Sequence, residues 1–312
     1  MNCPTPTFET IAVHAPAVPL LTAGNEPGST AREEAVVFGV DSNLVGVYTP
    51  ANDHCSEDGS SKQPVLLVTA GMLHNVGPFR LHVELARQLA EAGAPSLRFD
   101  LSGIGESLPS VENFPSSLAR AAAEIGEAAS WICERESCEH VGVFGLCSGA
   151  DDAMHAALED QRLQSLFLME GCAFPTFKFH LMLAYRKYGP KLLNYKKWLQ
   201  LFQRVLGNVD EESPRSMPMG TDIREFPDRL TSQDQLQSLI QQGKRIKFYY
   251  AGNGELYNYR NQFFDMFPEI AVGSIDVEFD AEADHVTYLV EHRERLINSA
   301  VEFFQSKAAR ND

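Results

Sequence analysis

From Glu34 onward the apolar positions of the chain fall into two rhythms. Short, nearly unbroken apolar runs predict buried strands: "PVLLVTAG" from Pro64, "PSLRFDLSG" from Pro95, "HVGVFGL" from His140, "LQSLFLMEG" from Leu163 and "RIKFYYAGNG" from Arg245. Between them the apolar residues recur at three- and four-residue intervals, which predicts amphipathic helices over 80–93, 116–136 and 148–160, with a last one from Thr287. "EAVVFGV" and "LVGVYTP" flank Asp41-Ser42-Asn43 as the arms of a hairpin, and "GSIDVEFD" reads as a final strand.

Strands that are apolar throughout and alternate with helices require cover on both faces. The fold class is therefore α/β, with a mostly parallel sheet between helical layers. The alternation lapses from about Phe174 and resumes at Arg245, which places a helical cap insertion over 173–244 within a core made of 33–172 and 245–312. Residues 1–32, rich in Pro, Ala, Thr and Gly, read as a loosely ordered extension.

Charge narrows the partners. The 26 basic and 42 acidic residues leave a formal charge of -16, which repels nucleic acid and anionic membrane surfaces at long range. No stretch approaches the ~20 apolar residues of a membrane helix, and the first residues lack the basic segment of a secretory signal. Six cysteines without regular spacing do not form a disulfide framework. A cytoplasmic protein with reduced thiols is the expectation.

One stretch carries chemistry. In "HVGVFGLCSGADDA" a strand runs into a turn and directly into a helix, with Cys147 between Gly145 and Gly149. Such a turn lifts its central side chain above the sheet edge, and the helix directs free N–H groups and a positive end at the sulfur, favouring the thiolate. Ser148 lies one position off centre, so its backbone N–H is of more use as an oxyanion donor than its hydroxyl is as a nucleophile.

With this G-x-C-x-G turn the chain resembles the α/β-hydrolases from about Glu34 to its end. "TAGMLHNVGPFR" stands where family members place the oxyanion loop, and "RFDLSGIGES" is similar to the segment that follows their fourth strand. A weaker likeness is to hydrolases encoded near bacterial exosortase and polysaccharide clusters, which brings no defined chemistry. The resemblance implies an acid after the next-to-last strand and a histidine after the last. It assigns Glu255 of "AGNGELYNY" and His285 of "EADHVTYL" to these roles, in the family order nucleophile, acid, histidine. Cysteine replaces the usual serine and glutamate the commoner aspartate. Both substitutions occur in the wider family, cysteine for example in dienelactone hydrolases.

His285 is then the acid/base and Glu255 its orienter, while Asp284 is too close in sequence to reach the adjoining ring. Met72 and Ser148 supply the oxyanion N–H groups. His74 is a possible substrate contact and Asp100 an anchor of its loop. No metal-ligand spacing, P-loop or dinucleotide fingerprint is present, so no metal and no cofactor are expected.

A thiolate attacks carbonyls readily but is also a good leaving group, so an alkyl ester tends to revert unless the departing oxygen is protonated. A thioester matches the two leaving groups, and the acyl-cysteine formed reacts onward with water, amines, alcohols or thiols. The expected function is a thioesterase or acyltransferase acting through acyl-Cys147. A small-ester or lactone hydrolase and a non-catalytic binding protein of the same fold are the alternatives. Residues 178–204 hold basic residues, among them Lys187, Lys191, Lys196 and Lys197, and no acidic one. That local reversal of charge suits docking of an acidic acyl carrier protein, and equally an anionic lipid or a phosphate-bearing substrate.

Overall fold

The structure, a computed structural model, describes residues 32–52, 62–71, 73–192, 227–252 and 256–306, with side chains of the 177–192 helix described to Tyr185. Almost all of the 1–32 extension and the central part of the 173–244 interval thus lie outside the described residues.

Eight strands form one sheet: β1 (Glu34–Phe38), β2 (Leu44–Thr49), β3 (Val65–Val68), β4 (Ser96–Phe99), β5 (Val141–Leu146), β6 (Leu163–Met169), β7 (Arg245–Ala251) and β8 (Asp276–Asp280). Their spatial order is β1-β2-β4-β3-β5-β6-β7-β8. β1 and β2 form the expected hairpin with Phe38 opposite Leu44, and β2 also runs antiparallel to β4. From β4 to β8 every pairing is parallel. The C-terminal ends of these strands therefore gather along one edge, where α/β sheets carry their sites.

The central strands send alternate residues to two cores. Leu66 and Val68 of β3, Val143 of β5, Leu166 and Leu168 of β6 and Phe248 and Tyr250 of β7 face one layer. That layer contains α2 (Ser117–Glu136), α3 (Ser148–Glu159), α5 (Arg229–Gln241) and the short α6 (Gln262–Met266), with α4 (Phe177–Leu192) between α3 and α5 in sequence. Leu67, Phe144, Phe167 and Tyr249 face the other layer, against α1 (Leu81–Glu91) and α7 (Val290–Gln305). This two-sided burial is why the strands read as continuous apolar runs rather than as an alternation. α5 contributes Leu236 and Leu239, both fully buried, so the end of the 173–244 interval is part of the core's own cover.

One boundary differs from the sequence pattern. The last helix begins at Val290 and not at Thr287. The Asp284 carboxylate accepts from the N–H groups of Val286 (3.0 Å) and Tyr288 (3.2 and 3.1 Å), and Thr287 turns left-handed at φ 49°, so these residues form a turn ahead of the helix. Among the described residues no helix is long and apolar enough to cross a membrane.

Candidate active site

Cys147 leaves β5 with φ 51° and ψ -118°, a conformation that costs a non-glycine residue on the order of 1–3 kcal/mol. The turn is held from both sides: the Cys147 N–H donates to the Met169 carbonyl at 2.7 Å, and its own carbonyl accepts from Ala150 N–H at 2.9 Å. The flanking glycines are steric requirements. A Cβ on Gly145 would lie 2.6 Å from the Ala150 Cα, and one on Gly149 would lie 2.4 Å from the Thr69 carbonyl oxygen. Only a bare backbone lets α3 start so close to the ends of β3 and β5.

His285 reaches the same edge from the β8–α7 loop. Asp280, at the end of β8, accepts from the N–H groups of Glu282 and Ala283 and from Arg295 and Tyr249, which anchors the start of that loop. Burial works against its charge, but the hydrogen bonds from Arg295 and these N–H groups prevail and hold its carboxyl down at about 2. The Asp284 turn described above then presents the histidine ring.

His285 meets two partners. Its Nδ1 lies 2.5 Å from Oε2 of Glu170, and the Cys147 thiol is near enough to the ring to raise its proton affinity. Glu170 directly follows β6 with φ 58°, and its side chain is 7% exposed against 41% for His285. Its second oxygen, Oε1, accepts from the Ala251 N–H at 2.9 Å, so the carboxylate is fixed between the ends of β6 and β7. The nearby Cys147 thiol first, then the Glu170 carboxylate, push His285 from its ordinary 6.5 up to about 10. Burial opposes the shift and is outweighed.

Sequence reasoning assigned the orienting carboxylate to Glu255, which lies outside the described residues. The carboxylate found on Nδ1 is Glu170, which that reasoning missed. Its signal was available: "LQSLFLMEG" ends a wholly apolar strand on a glutamate, at the edge that carries Cys147. Met72 also lies outside the described residues. Ser148 opens α3, and its Oγ accepts from the Gly71 N–H at 2.6 Å, which ties the loop after β3 to the nucleophile turn. The Gly71 N–H is thereby committed to a side chain and does not serve as an oxyanion donor.

His74, in the same loop, belongs to a polar cluster. Its Nε2 is 2.7 Å from Glu106 Oε2 and 3.4 Å from Asp100 Oδ2, while its Nδ1 accepts from the Val76 N–H. Asp100, fully buried, accepts from the backbone and side-chain N–H groups of Asn75, both at 2.6 Å. Asn75 in turn accepts from Arg98, which pairs with Glu33. Asp100 is thus structural, but its carboxylate ties down the loop after β3 rather than its own loop. His74, Asp100 and Glu106 have donor atoms within 4.8 Å of one another, the group among the described residues with the composition to hold a cation. Their mutual hydrogen bonds already account for the arrangement.

On the proposed docking face, Lys187 and Lys191 belong to α4 beyond its described side chains, and Lys196 and Lys197 lie outside the described residues. The described part of α4 exposes Phe177, Leu181, Leu183 and Tyr185. Beside His285, Tyr288 and Phe79 are also exposed and pack edge to face at 5.1 Å, joining the histidine loop to the loop after β3.

Neither a family model nor a curated protein sequence matches the chain. Solved structures do. A cold-adapted esterase from an Arctic intertidal metagenomic library aligns over 91% of this chain and 97% of its own, with 15% identity and a TM-score of 0.53. A dienelactone hydrolase from Anabaena variabilis aligns over 88% and 97%, with 16% identity and a TM-score of 0.52. An α/β serine hydrolase from Xanthomonas campestris covers the same shares with 13% identity and a TM-score of 0.51. At these identities the likeness is one of architecture, and the chain has the α/β-hydrolase fold.

Proposed function

We propose that this protein is an acyl-transfer enzyme of the hydrolase type, with Cys147 as nucleophile, His285 as proton donor and acceptor, and Glu170 as the carboxylate that orients His285. The observation that carries the reading is the Glu170–His285 pair, set near the thiol that stands on the strained turn at the end of β5. A carboxylate on Nδ1 selects the tautomer and stabilises the imidazolium, while the opposite face of the ring serves the nucleophile.

The preferred donor is an acyl thioester, free or presented by a carrier protein. The Cys147 thiolate attacks the carbonyl carbon, and the oxyanion forms against the backbone N–H groups of Ser148 and Met72, worth about 3 kcal/mol each in such sites. Collapse breaks the carbon–sulfur bond of the donor, and the departing thiolate takes its proton from His285. Neutral His285 then removes a proton from water or another acceptor, which attacks acyl-Cys147. Proton transfer of this kind contributes ~10²–10⁴-fold. The basic residues of 178–204 would receive the acidic carrier.

A second reading is a small-ester or lactone hydrolase that needs no carrier. It is favoured by the raised proton affinity of His285, since an imidazolium at neutral pH can protonate an alkoxide that would otherwise be expelled poorly. The esterase and dienelactone hydrolase named above belong to the same chemistry.

The test is intact mass after incubation with a panel of acyl-pantetheine thioesters and p-nitrophenyl esters, comparing wild type with Cys147→Ala and His285→Ala. The expected result is an acyl adduct on Cys147 from thioesters, absent in Cys147→Ala and slowed in His285→Ala. Adducts from esters alone select the second reading. No adduct and no turnover with either class overturns both and leaves a binding role for the fold.

A further inference from the structure

α2 ends in two thiols. The helix stops because Ser137 turns left-handed at φ 52°, and the chain doubles back so that the Cys138 N–H donates to the Cys133 carbonyl at 3.1 Å. This closure brings the second residue beyond the helix against the residue in its last turn, a contact that two apolar side chains commonly make. Here both are cysteines, and the Cys138 S–H is directed at the Cys133 sulfur at 3.6 Å. Both are partly exposed and neither is in a disulfide.

The surroundings divide the roles. Burial, the hydrogen bond to Cys133, the Cys133 charge and Glu136 together push the Cys138 thiol up to about 12, against a small opposing effect from the His140 backbone. Cys138 therefore keeps its proton. The S–H aimed at Cys133 marks that sulfur as the acceptor of the pair, and so as the attacking member.

We propose that Cys133 and Cys138 form a reversibly oxidisable dithiol that reacts with low-molecular-weight disulfides. The Cys133 thiolate attacks one sulfur of such a disulfide, forming a mixed disulfide and releasing one thiolate, which takes up a proton. Cys138 then gives up its proton and attacks the Cys133 sulfur, expelling the second thiol. Two protein thiols are oxidised and one external disulfide is reduced to two thiols. The two sulfurs must close by about 1.6 Å to reach bonding distance, a shift within reach of rotation about the Cα–Cβ bonds. The pair precedes the start of β5 and Cys147 follows its end, roughly 20 Å away along the strand, so the dithiol does not depend on the acyl-transfer reading.

The experiment treats the native full-length protein with glutathione disulfide, alkylates the remaining thiols and digests with trypsin. Arg135 lies between the two cysteines, so closure leaves two tryptic peptides joined by a bond that dithiothreitol breaks. The expected results are that joined pair in wild type, a stable glutathione adduct on Cys133 in Cys138→Ser, and at least tenfold less adduct on Cys138 in Cys133→Ser. Phenylarsine oxide, which bridges neighbouring thiols, binds one to one in wild type and in Cys147→Ala. Full alkylation of both cysteines, adducts without the joined pair in wild type, or absence of arsenical binding overturns the proposal. Equal adduct on Cys138 overturns the assignment of Cys133 as the attacking thiol.

Discussion

At the scale of single residues, Glu170 has a double grip: one oxygen on the Ala251 N–H, the other on His285. Glu170→Gln keeps the shape but removes the charge that stabilises the imidazolium. Turnover should fall by about 10²–10⁴-fold, and the His285 titration, followed by NMR, should move down from about 10 toward 6.5. Glu255→Gln should leave both measurements near wild type, and the reverse outcome would return the orienting role to Glu255. His82 is shifted the other way. It is completely buried, and burial followed by the Arg98 charge lowers it to about 3.

At the scale of elements, the nucleophile turn depends on how closely α3 approaches β3. Gly149→Ala places a methyl group against backbone, where no side chain can yield. The expected loss is about 3 kcal/mol or more in urea unfolding, the upper part of the range for overpacking. A loss below about 1 kcal/mol would mean that the turn is not sterically determined. Ser148 links this turn to the loop after β3 through Gly71. Ser148→Ala should lower kcat about tenfold with little change in KM, since one hydrogen bond worth about 1 kcal/mol positions the loop and does not bind substrate. A change confined to KM would place the hydroxyl in substrate contact.

At the scale of the whole molecule, the two histidines shape stability against pH from opposite sides. His285 has a raised folded-state value, so its contribution is fully present below about 6.5 and is lost as pH rises through about 10. His82 has a depressed value, so its contribution is present above about 6.5 and is lost as pH falls toward about 3. Denaturant midpoints measured from pH 4 to 10 should therefore pass through a maximum between these limbs. His82→Phe should flatten the acid limb by up to about 1.4 kcal/mol per pH unit, and Glu170→Gln should flatten the alkaline one. An unchanged profile in His82→Phe would show that this ring does not govern the acid limb.

Much of this molecule was legible in its residues. Continuous apolar runs such as "VLLV" and "VFGL" identify strands buried on both faces, and Gly145 and Gly149 around Cys147 announce a crowded turn, because both signals come from neighbours in sequence. His285 was read from its place after the last strand, and the structure sets its ring against Glu170. Glu170 was not, since two strand ends offered a carboxylate and only the packing of β6 beside β7, with Ala251 N–H on one oxygen, shows this one on Nδ1. The same holds for the tie between Ser148 and Gly71, 77 residues apart, and for the approach of Cys133 to Cys138, which follows from how the helix closes and not from their spacing. Local sterics and burial period are written along the chain. Which groups at separate strand ends come within hydrogen-bonding reach is decided by strand order and loop path, and those exist only in the folded molecule.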